Sequence, residues 1–453
     1  MCPVPFPTSR YAHLAEARPL LVGYSGGLDS TVLLHGLHAG RARRDLRAIH
    51  VHHGLQPGAD AWAGHCLSTC EALGVPLRIV RVSVREDGGT GPEAAARAAR
   101  HAAFEAELRP DEVLALAHHR GDQAETFLLR ALRASGVDGL AAMRPWRRYG
   151  RGWLWRPLLD TPRERLLDYA RQHRLRWIED PSNIGIEPDR NFLRHRVLPL
   201  LRERWPQADA GLARSARLGA EAAALLADED AAALAAVRTV DPQALDVAGL
   251  QQLPRARRAR VLRRWIDSLA LPPLPAQGVA RIEADLLQAG TDGSPAFAWS
   301  GAVVRRWRGL LHAERQRPPL PADFRVAWDG GAPLPLPTGD TLALVGREPV
   351  EAGDGPDTCP RSAAHAGPLI VRARRGGERL RLPGRGHSHA LKQVLQALGV
   401  PPWLRERLPL LTDADDGLLA AGDLVHSAGF DAWLRARRQR LLWSQADPPA
   451  RAE

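Results

Sequence analysis

The sequence predicts an α/β protein: a parallel, doubly wound sheet, followed by a helical domain and a small α+β domain at the C-terminal end. Three observations predict it. Strand and helix signals alternate through roughly the first two hundred residues, the pattern of a parallel sheet covered on both faces. From about Ala210 to Leu287 the chain is rich in Ala, Leu and Arg with no strong strand signal. From Pro318-Pro319-Leu320-Pro321, which reads as a linker, a Pro/Gly-rich stretch runs to Gly339; short apolar runs such as Leu369-Ile370-Val371 and Leu418-Leu419-Ala420-Ala421 follow among glycine turns. The domains are accordingly placed at 1–212, 213–317 and 318–453.

The elements can be justified in order. Leu20-Leu21-Val22-Gly23-Tyr24 is a short buried strand, and Ser30 to Leu37 the helical run after it. Leu46 to Val51 and Leu77 to Val84 are the next strands, each followed by apolar residues at helical spacing: Ala59 to Leu73, and Pro92 to Leu108 with its proline at the start. Glu112 to Ala117 makes a fourth strand and Asp122 to Leu132 a fourth helix. Thr161 to Arg174 and the Arg-rich Asp189 to Arg204 add two helices. In such a sheet, ligands bind at the carboxyl ends of the strands.

Composition narrows the function. A chain of 453 residues exceeds one ordinary core. No apolar run approaches bilayer length, Met1 to Arg10 lacks the layout of a signal peptide, and four cysteines cannot staple a chain this long; a cytoplasmic protein with no membrane contact is expected. Basic residues number 62 against 51 acidic, a net charge of +11 that favours a polyanionic partner. Lys392 is the only lysine. A compositional bias explains Arg in place of Lys, but not the excess of base over acid.

The strongest local signal is Ser25-Gly26-Gly27-Leu28-Asp29-Ser30, between a strand and a helix. Two glycines let a ligand approach the backbone, the two serines add hydroxyl donors, and the helix start favours an anion. The loop is neither a Walker A sequence nor a GxGxxG turn. Asp29 would repel bare phosphate, which suggests Mg²⁺ beside it. This loop resembles the PP-loop of the Rossmann-like ATP pyrophosphatases, which hold the β,γ-pyrophosphate and transfer AMP to a carbonyl oxygen.

Within that class, further segments are similar to those of the tRNA(Ile)-lysidine synthases. They are His50-Val51-His52-His53-Gly54-Leu55 with Ala59-Asp60-Ala61-Trp62, Glu93 through Arg100, and His119 through Thr126. Arg156-Pro157-Leu158-Leu159, Trp177 through Asn183 and Asp189-Arg190-Asn191-Phe192-Leu193-Arg194 follow in the family's order. Arg374-Arg375-Gly376-Gly377-Glu378 and Pro401 through Arg405 extend the likeness more sparsely to the tail. Two positions depart from the family pattern: Gly121 stands where the first aspartate of His-x-Asp-Asp-Gln is usual, and His101 where Tyr is common.

The resemblance implies a reaction with ATP and Mg²⁺ that joins free L-lysine to C2 of the wobble cytidine of an isoleucine tRNA with a CAU anticodon. It implies ATP binding by Ser25, Gly26, Gly27, Leu28, Asp29, Ser30, Val51 and Arg97, with Asp29 on the metal. Asp29, Asp122 and Glu125 are the expected catalytic groups. Asp122 and Glu125, three apart at a helix start, share a face and offer negative charge to an amine; they are the expected lysine site. A pair of carboxylates complementing the helix dipole would look the same. Arg190, Asn191, Arg194, Arg374, Arg375, Lys392 and Arg405 are the expected tRNA contacts, and no protein partner is implied. Trp403 reads as core rather than a platform for a base. Two rivals stay open. A tRNA cytidine thiolase would need reactive cysteines, for which Cys66 and Cys70 share a helix face. An RNA-binding protein with an inactive site would account for Gly121.

Overall fold

The structure, a computed structural model, describes residues 12–40, 45–54, 58–83, 92–179, 185, 189–290, 294–346 and 368–445. The motif residues Leu55 and Asp180 to Asn183 lie outside them. The chain forms two compact units, one made of residues 1–237, 252–280 and 450–453, the other of residues 238–251 and 281–449.

The first unit opens with helix α1 (Ala12–Glu16) and strand β1 (Leu20–Gly23). Then come α2 (Leu28–Gly40), β2 (Leu46–His52), α3 (Ala59–Leu73), β3 (Leu77–Arg81), α4 (Pro92–Glu107), β4 (Val113–Ala115), α5 (Arg120–Leu132) and α6 (Val137–Leu140). The hairpin β5 (Trp146–Tyr149) and β6 (Gly152–Trp155) and helix α7 (Arg163–Gln172) follow. The strands form one sheet in the order β3-β2-β1-β4-β6-β5, parallel except for β5, which pairs antiparallel with β6 at the edge. The expected parallel, doubly wound sheet is therefore present. The β5–β6 hairpin was not anticipated, because its Arg and Trp residues do not alternate as a half-buried strand does.

Alternation of side chains explains why both faces are covered. Leu20 and Val22 of β1 point to one side, where Val32 and Leu33 of α2, Cys66 and Cys70 of α3 and Leu166 of α7 pack. Leu21 points to the other, against Phe104 of α4, Leu114 of β4 and Leu154 of β6. Each such buried aliphatic side chain contributes about 1.5–3 kcal/mol. The β4–β6 approach requires a glycine, since a Cβ at Gly152 would lie 2.1 Å from the Glu112 carbonyl oxygen. Beside it the buried Glu112 carboxylate accepts two bonds from Arg47, at 2.7 and 2.6 Å.

The stretch expected as one Arg-rich helix is α8 (Asp189–Phe192), a π-helical turn (Leu193–Val197) and α9 (Leu198–Arg204). Helices α10 (Ala208–Leu225) and α11 (Ala227–Val237) continue the chain. After strand β7 (Ala244–Asp246) come α12 (Val247–Gln252), α13 (Arg255–Ser268), α14 (Ala276–Arg281) and a second π-helical turn, Ile282–Leu286. Asp230 of α11 is buried between Arg257 and Arg260 of α13, its Oδ atoms 2.9 and 2.7 Å from them.

In the second unit, β8 (Ala296–Trp299), β9 (Ala302–Trp307) and β10 (Leu310–Arg315) join β7 in an antiparallel sheet, ordered β7-β10-β9-β8. The stretch read as strandless thus supplies β7, three residues too short to leave a pattern. Strands β11 (Arg325–Trp328), β12 (Leu334–Pro335), β13 (Asp340–Gly346), β14 (Leu369–Arg372), β15 (Arg379–Arg381) and β16 (Ser388–Ala390) come next. They are followed by α15 (Leu391–Ala397), α16 (Pro402–Arg407), β17 (Leu410–Thr412), β18 (Leu418–Ala421), β19 (Val425–His426), α17 (Ala428–Ala436) and β20 (Gln439–Gln445). These C-terminal strands are antiparallel, in the order β11-β14-β17-β18-β19 with β12-β13-β20 beside them, around Val371, Leu411, Ala420 and Phe430. The Pro318–Pro321 stretch is no loose linker: Leu320 is buried and its N–H donates to the Glu406 carbonyl at 3.1 Å. Among the described residues no helix is long and apolar enough to cross a membrane.

Candidate active site

Sheet order decides where a ligand can sit. Chain order reverses between β1 and β4, so the loops leaving their carboxyl ends part and leave a crevice. The loop after β1 carries Ser25 to Gly27, and the turn after β4 carries His118 and His119.

The β1 loop is built to hold its shape. Gly26 adopts φ +84°, and a Cβ there would lie 3.0 Å from both Cys66 Sγ and Ile178 Cδ1. Its carbonyl accepts the Ile178 N–H at 2.9 Å, so the Trp177-Ile178 segment backs the loop. Ser30 Oγ donates to the Gly27 carbonyl at 3.0 Å and stands 3.0 Å from Ser25 Oγ, while Thr31 Oγ1 donates to the same carbonyl at 2.9 Å. Gly26→Ala is expected to cost about 1–2 kcal/mol in strain and to raise the KM for ATP about tenfold, read by thermal melting and ATP titration.

Asp29, in the first turn of α2, is under-satisfied. Its Oδ1 is buried without a hydrogen-bond partner among the described residues. Burial pushes its carboxyl above the ordinary value, His119 opposes this, and Asp122 adds to it. A hard cation fits such a carboxylate. Among the described residues no three His, Cys, Asp or Glu side chains converge as a metal cage, so the mode that suits is one carboxylate plus substrate phosphates.

His119 ties Asp29 to the acid pair. Its ring caps α5: Nδ1 accepts the Gly121 N–H at 3.0 Å and the Asp122 N–H at 3.4 Å, while Asp122 Oδ2 accepts the His119 N–H at 2.9 Å. With Nδ1 an acceptor, Nε2 faces Asp29 Oδ2 at 3.8 Å and Asp122 Oδ2 at 3.7 Å. A Cβ at Gly121 would come within 2.8 Å of the capping imidazole, so any larger residue here requires that ring to shift. Sequence reading gave His119 no role; a histidine two residues before a helical glycine and three before an acid was the available signal.

Asp122 and Glu125 do share a face, as expected, and they are not solvated. Glu125 is buried; its Oε2 accepts Arg190 Nε at 2.8 Å and its Oε1 accepts Arg194 Nε at 2.7 Å. Arg194 Nη2 also reaches Asp122 Oδ1 at 3.0 Å. The two arginines expected to contact tRNA are therefore turned inward onto Asp122 and Glu125. Asn191 instead donates to the Gly185 carbonyl at 2.7 Å. Burial pushes the Asp122 carboxyl up, but His119, His118, Arg190 and the His119 amide outweigh it and hold it at about 2. That depressed value contributes stability above the ordinary 3.8, lost as pH falls toward about 2. Asp122→Asn should flatten this acid limb of the unfolding curve.

A second cluster of side chains is positive. His101 is buried and paired with Tyr149, whose hydroxyl donates to the His101 carbonyl at 2.8 Å and accepts from Nδ1 at 3.0 Å. Burial, then Arg97, Arg100, Arg147 and Arg156, lower the His101 ring to about 3, so it is neutral in a field of four guanidiniums. Arg97 thus stands where an anion is favoured, and Val51 is buried at the end of β2. Cys66 and Cys70 are buried, their thiols pushed up by burial to about 12 and about 11, which makes poor nucleophiles of both. In the second unit Lys392 and Arg375 are exposed, Arg375 lying 3.6 Å from Asp416, and Arg374 and Arg405 are half-buried. Trp403 is half-buried too, edge-on to Trp307 and His312.

A glycine-and-serine cradle between a parallel strand and a helix, without a Walker lysine and with an uncompensated aspartate, is the arrangement of the PP-loop ATP pyrophosphatases. The PP-loop domain family matches residues 7–201, the TilS substrate binding domain residues 245–312 and the TilS substrate C-terminal domain residues 369–443. The chain is 54% identical over 430 residues to the tRNA(Ile)-lysidine synthase of Xanthomonas axonopodis pv. citri (strain 306), covering 94% of each. It is 52% identical to that of Xylella fastidiosa (strain Temecula1 / ATCC 700964), over 94% of this chain and 95% of the relative. For the tRNA(Ile)-lysidine synthase of Pseudomonas aeruginosa the identity is 44%, over 95% and 94%. The chain belongs to the tRNA(Ile)-lysidine synthase family.

Proposed function

We propose that this protein uses ATP to ligate free L-lysine to C2 of the wobble cytidine in the CAU anticodon of an isoleucine tRNA. The product is lysidine, and decoding switches from AUG to AUA. In the first step the C2 oxygen of the base attacks the α-phosphorus of ATP and pyrophosphate leaves. In the second the ε-amine of lysine displaces AMP from C2, its proton passing to solvent.

One observation carries this reading: a single imidazole, His119, lies within 3.8 Å of both Asp29 on the phosphate loop and Asp122 of the acid pair. That closeness supports a reading in which pyrophosphate departure and amine attack take place side by side. The loop amides and the Ser25 and Ser30 hydroxyls receive the pyrophosphate; Arg97 adds positive charge. Asp29 would hold Mg²⁺, whose charge offsets that developing on the leaving group. Asp122 and Glu125 read the ammonium charge of lysine.

The test is incorporation of labelled L-lysine into an unmodified isoleucine tRNA transcript with Mg-ATP, with a methionine tRNA and Asp122→Ala as controls. Incorporation into the isoleucine tRNA alone, lost in the variant, is expected. Folded protein that binds the RNA but incorporates nothing would overturn the reading.

A further inference from the structure

A second built site lies in the C-terminal unit, away from the loop chemistry. Arg308, in the turn between β9 and β10, holds φ +55°, a left-handed conformation that an arginine adopts only at a cost. Its guanidinium stacks 4.4 Å from the Trp307 ring centroid and donates from Nη2 to the Gln396 carbonyl at 3.3 Å. Gly399, at φ +70°, makes room for it, since a Cβ there would press on Arg308 Nη1 at 3.3 Å. Arg405 of α16 leans on the same short connector, donating from Nε to the Val400 carbonyl at 2.7 Å. Two guanidiniums from distant parts of the sequence are thus braced on residues 396–400.

A third joins them. Arg374, just after β14, has a buried Nε without a hydrogen-bond partner among the described residues. Burial lowers the Arg405 value, and Arg374 and Arg308 lower it further. The nearby Glu314 is already taken, by Arg305 at 2.7 Å and Arg407 at 3.0 Å. Glu378 sets its charge against Arg374, but three crowded like charges still cost stability, and a bound anion lowers that cost. A carboxylate ligand would satisfy one guanidinium fork; a phosphodiester offers oxygens to several.

We propose that Arg308, Arg374 and Arg405 form one subsite for a single backbone phosphate of the RNA substrate. It rests on the reading of the chain as a tRNA-acting enzyme, and it adds Arg308, which nothing in the sequence singled out. The site draws on both the β9–β10 hairpin and the C-terminal strands and helices, so one phosphate would clamp the two together.

Binding of the unmodified isoleucine tRNA transcript is measured by filter retention over a salt series for Arg308→Gln, Arg405→Gln and the double variant. Each single variant is expected to weaken binding about tenfold and to reduce the salt slope by roughly 1. Because the groups share one phosphate, the double variant should also lose a slope of roughly 1 rather than 2. The RNA-free melting temperature of Arg308→Gln should equal or exceed that of the parent at low salt. Arg217→Ala, an exposed arginine paired with Glu221, controls for simple loss of surface charge. Fully additive losses, losses matched by Arg217→Ala, or a fall in melting temperature with binding intact would each overturn the proposal. Lysine incorporation by Arg217→Ala should match that of the parent protein. Its absence from the parent protein would remove the lysidine reading, while the binding series would still judge the subsite.

Discussion

Glu125→Gln is expected to abolish the proposed amine site and loosen the fold together. Lysine incorporation at saturating ATP and tRNA is expected to drop at least about a hundredfold, since a charged acceptor becomes a neutral one where the substrate is an ammonium. Stability should fall as well. Glu125 accepts bonds from Arg190 and from Arg194, and the amide would leave two partly buried guanidiniums competing for Asp122. Breaking such a pair costs roughly 3 kcal/mol, or roughly 6–12 °C in melting temperature for a unit of this size. Lysine titration and thermal melting on one preparation separate the effects. A large melting shift with an unchanged KM for lysine would leave Glu125 only a structural role.

Asp29→Asn should do the opposite to stability while removing activity. Burial and Asp122 hold the Asp29 carboxyl above its ordinary value despite His119. The folded chain therefore binds that proton more tightly than the unfolded chain does. Its favourable contribution is whole below the ordinary carboxylate range and is lost as pH rises through the raised value. At neutral pH the ionised group works against folding, and asparagine relieves this. Melting temperature near pH 7 should stay level or rise, while pyrophosphate release falls about a thousandfold. A variant that keeps turnover would sever Asp29 from the chemistry.

How much of this was legible follows from where each residue's partners lie. The loop after β1 is local: a strand, two glycines, a serine and a helix within about a dozen residues, and the fold places it at the carboxyl end of β1. Asp122 and Glu125 were legible as a pair because helical spacing alone puts them on one face. Their counter-ions were not, because Arg190 and Arg194 arrive from a segment more than sixty residues downstream, and an inward-facing arginine has the same letter as a solvated one. The β5–β6 and β9–β10 hairpins escaped for another reason. Arginines in them stack on Trp153 and Trp307, so polar letters occupy positions that a hydrophobic pattern would leave to apolar ones. Gly121 reads as a lost carboxylate until the His119 ring is seen against it.

The two acids and two arginines of the proposed amine site carry no monopole when taken together. Their far field decays faster than that of a lone charge and is damped further by salt within about 10 Å. A dissolved amino acid is consequently not drawn toward the crevice by these four groups, and they grant it no accelerated capture. Its arrival is governed by ordinary diffusion and orientation, and the site discriminates only at contact, bond by bond.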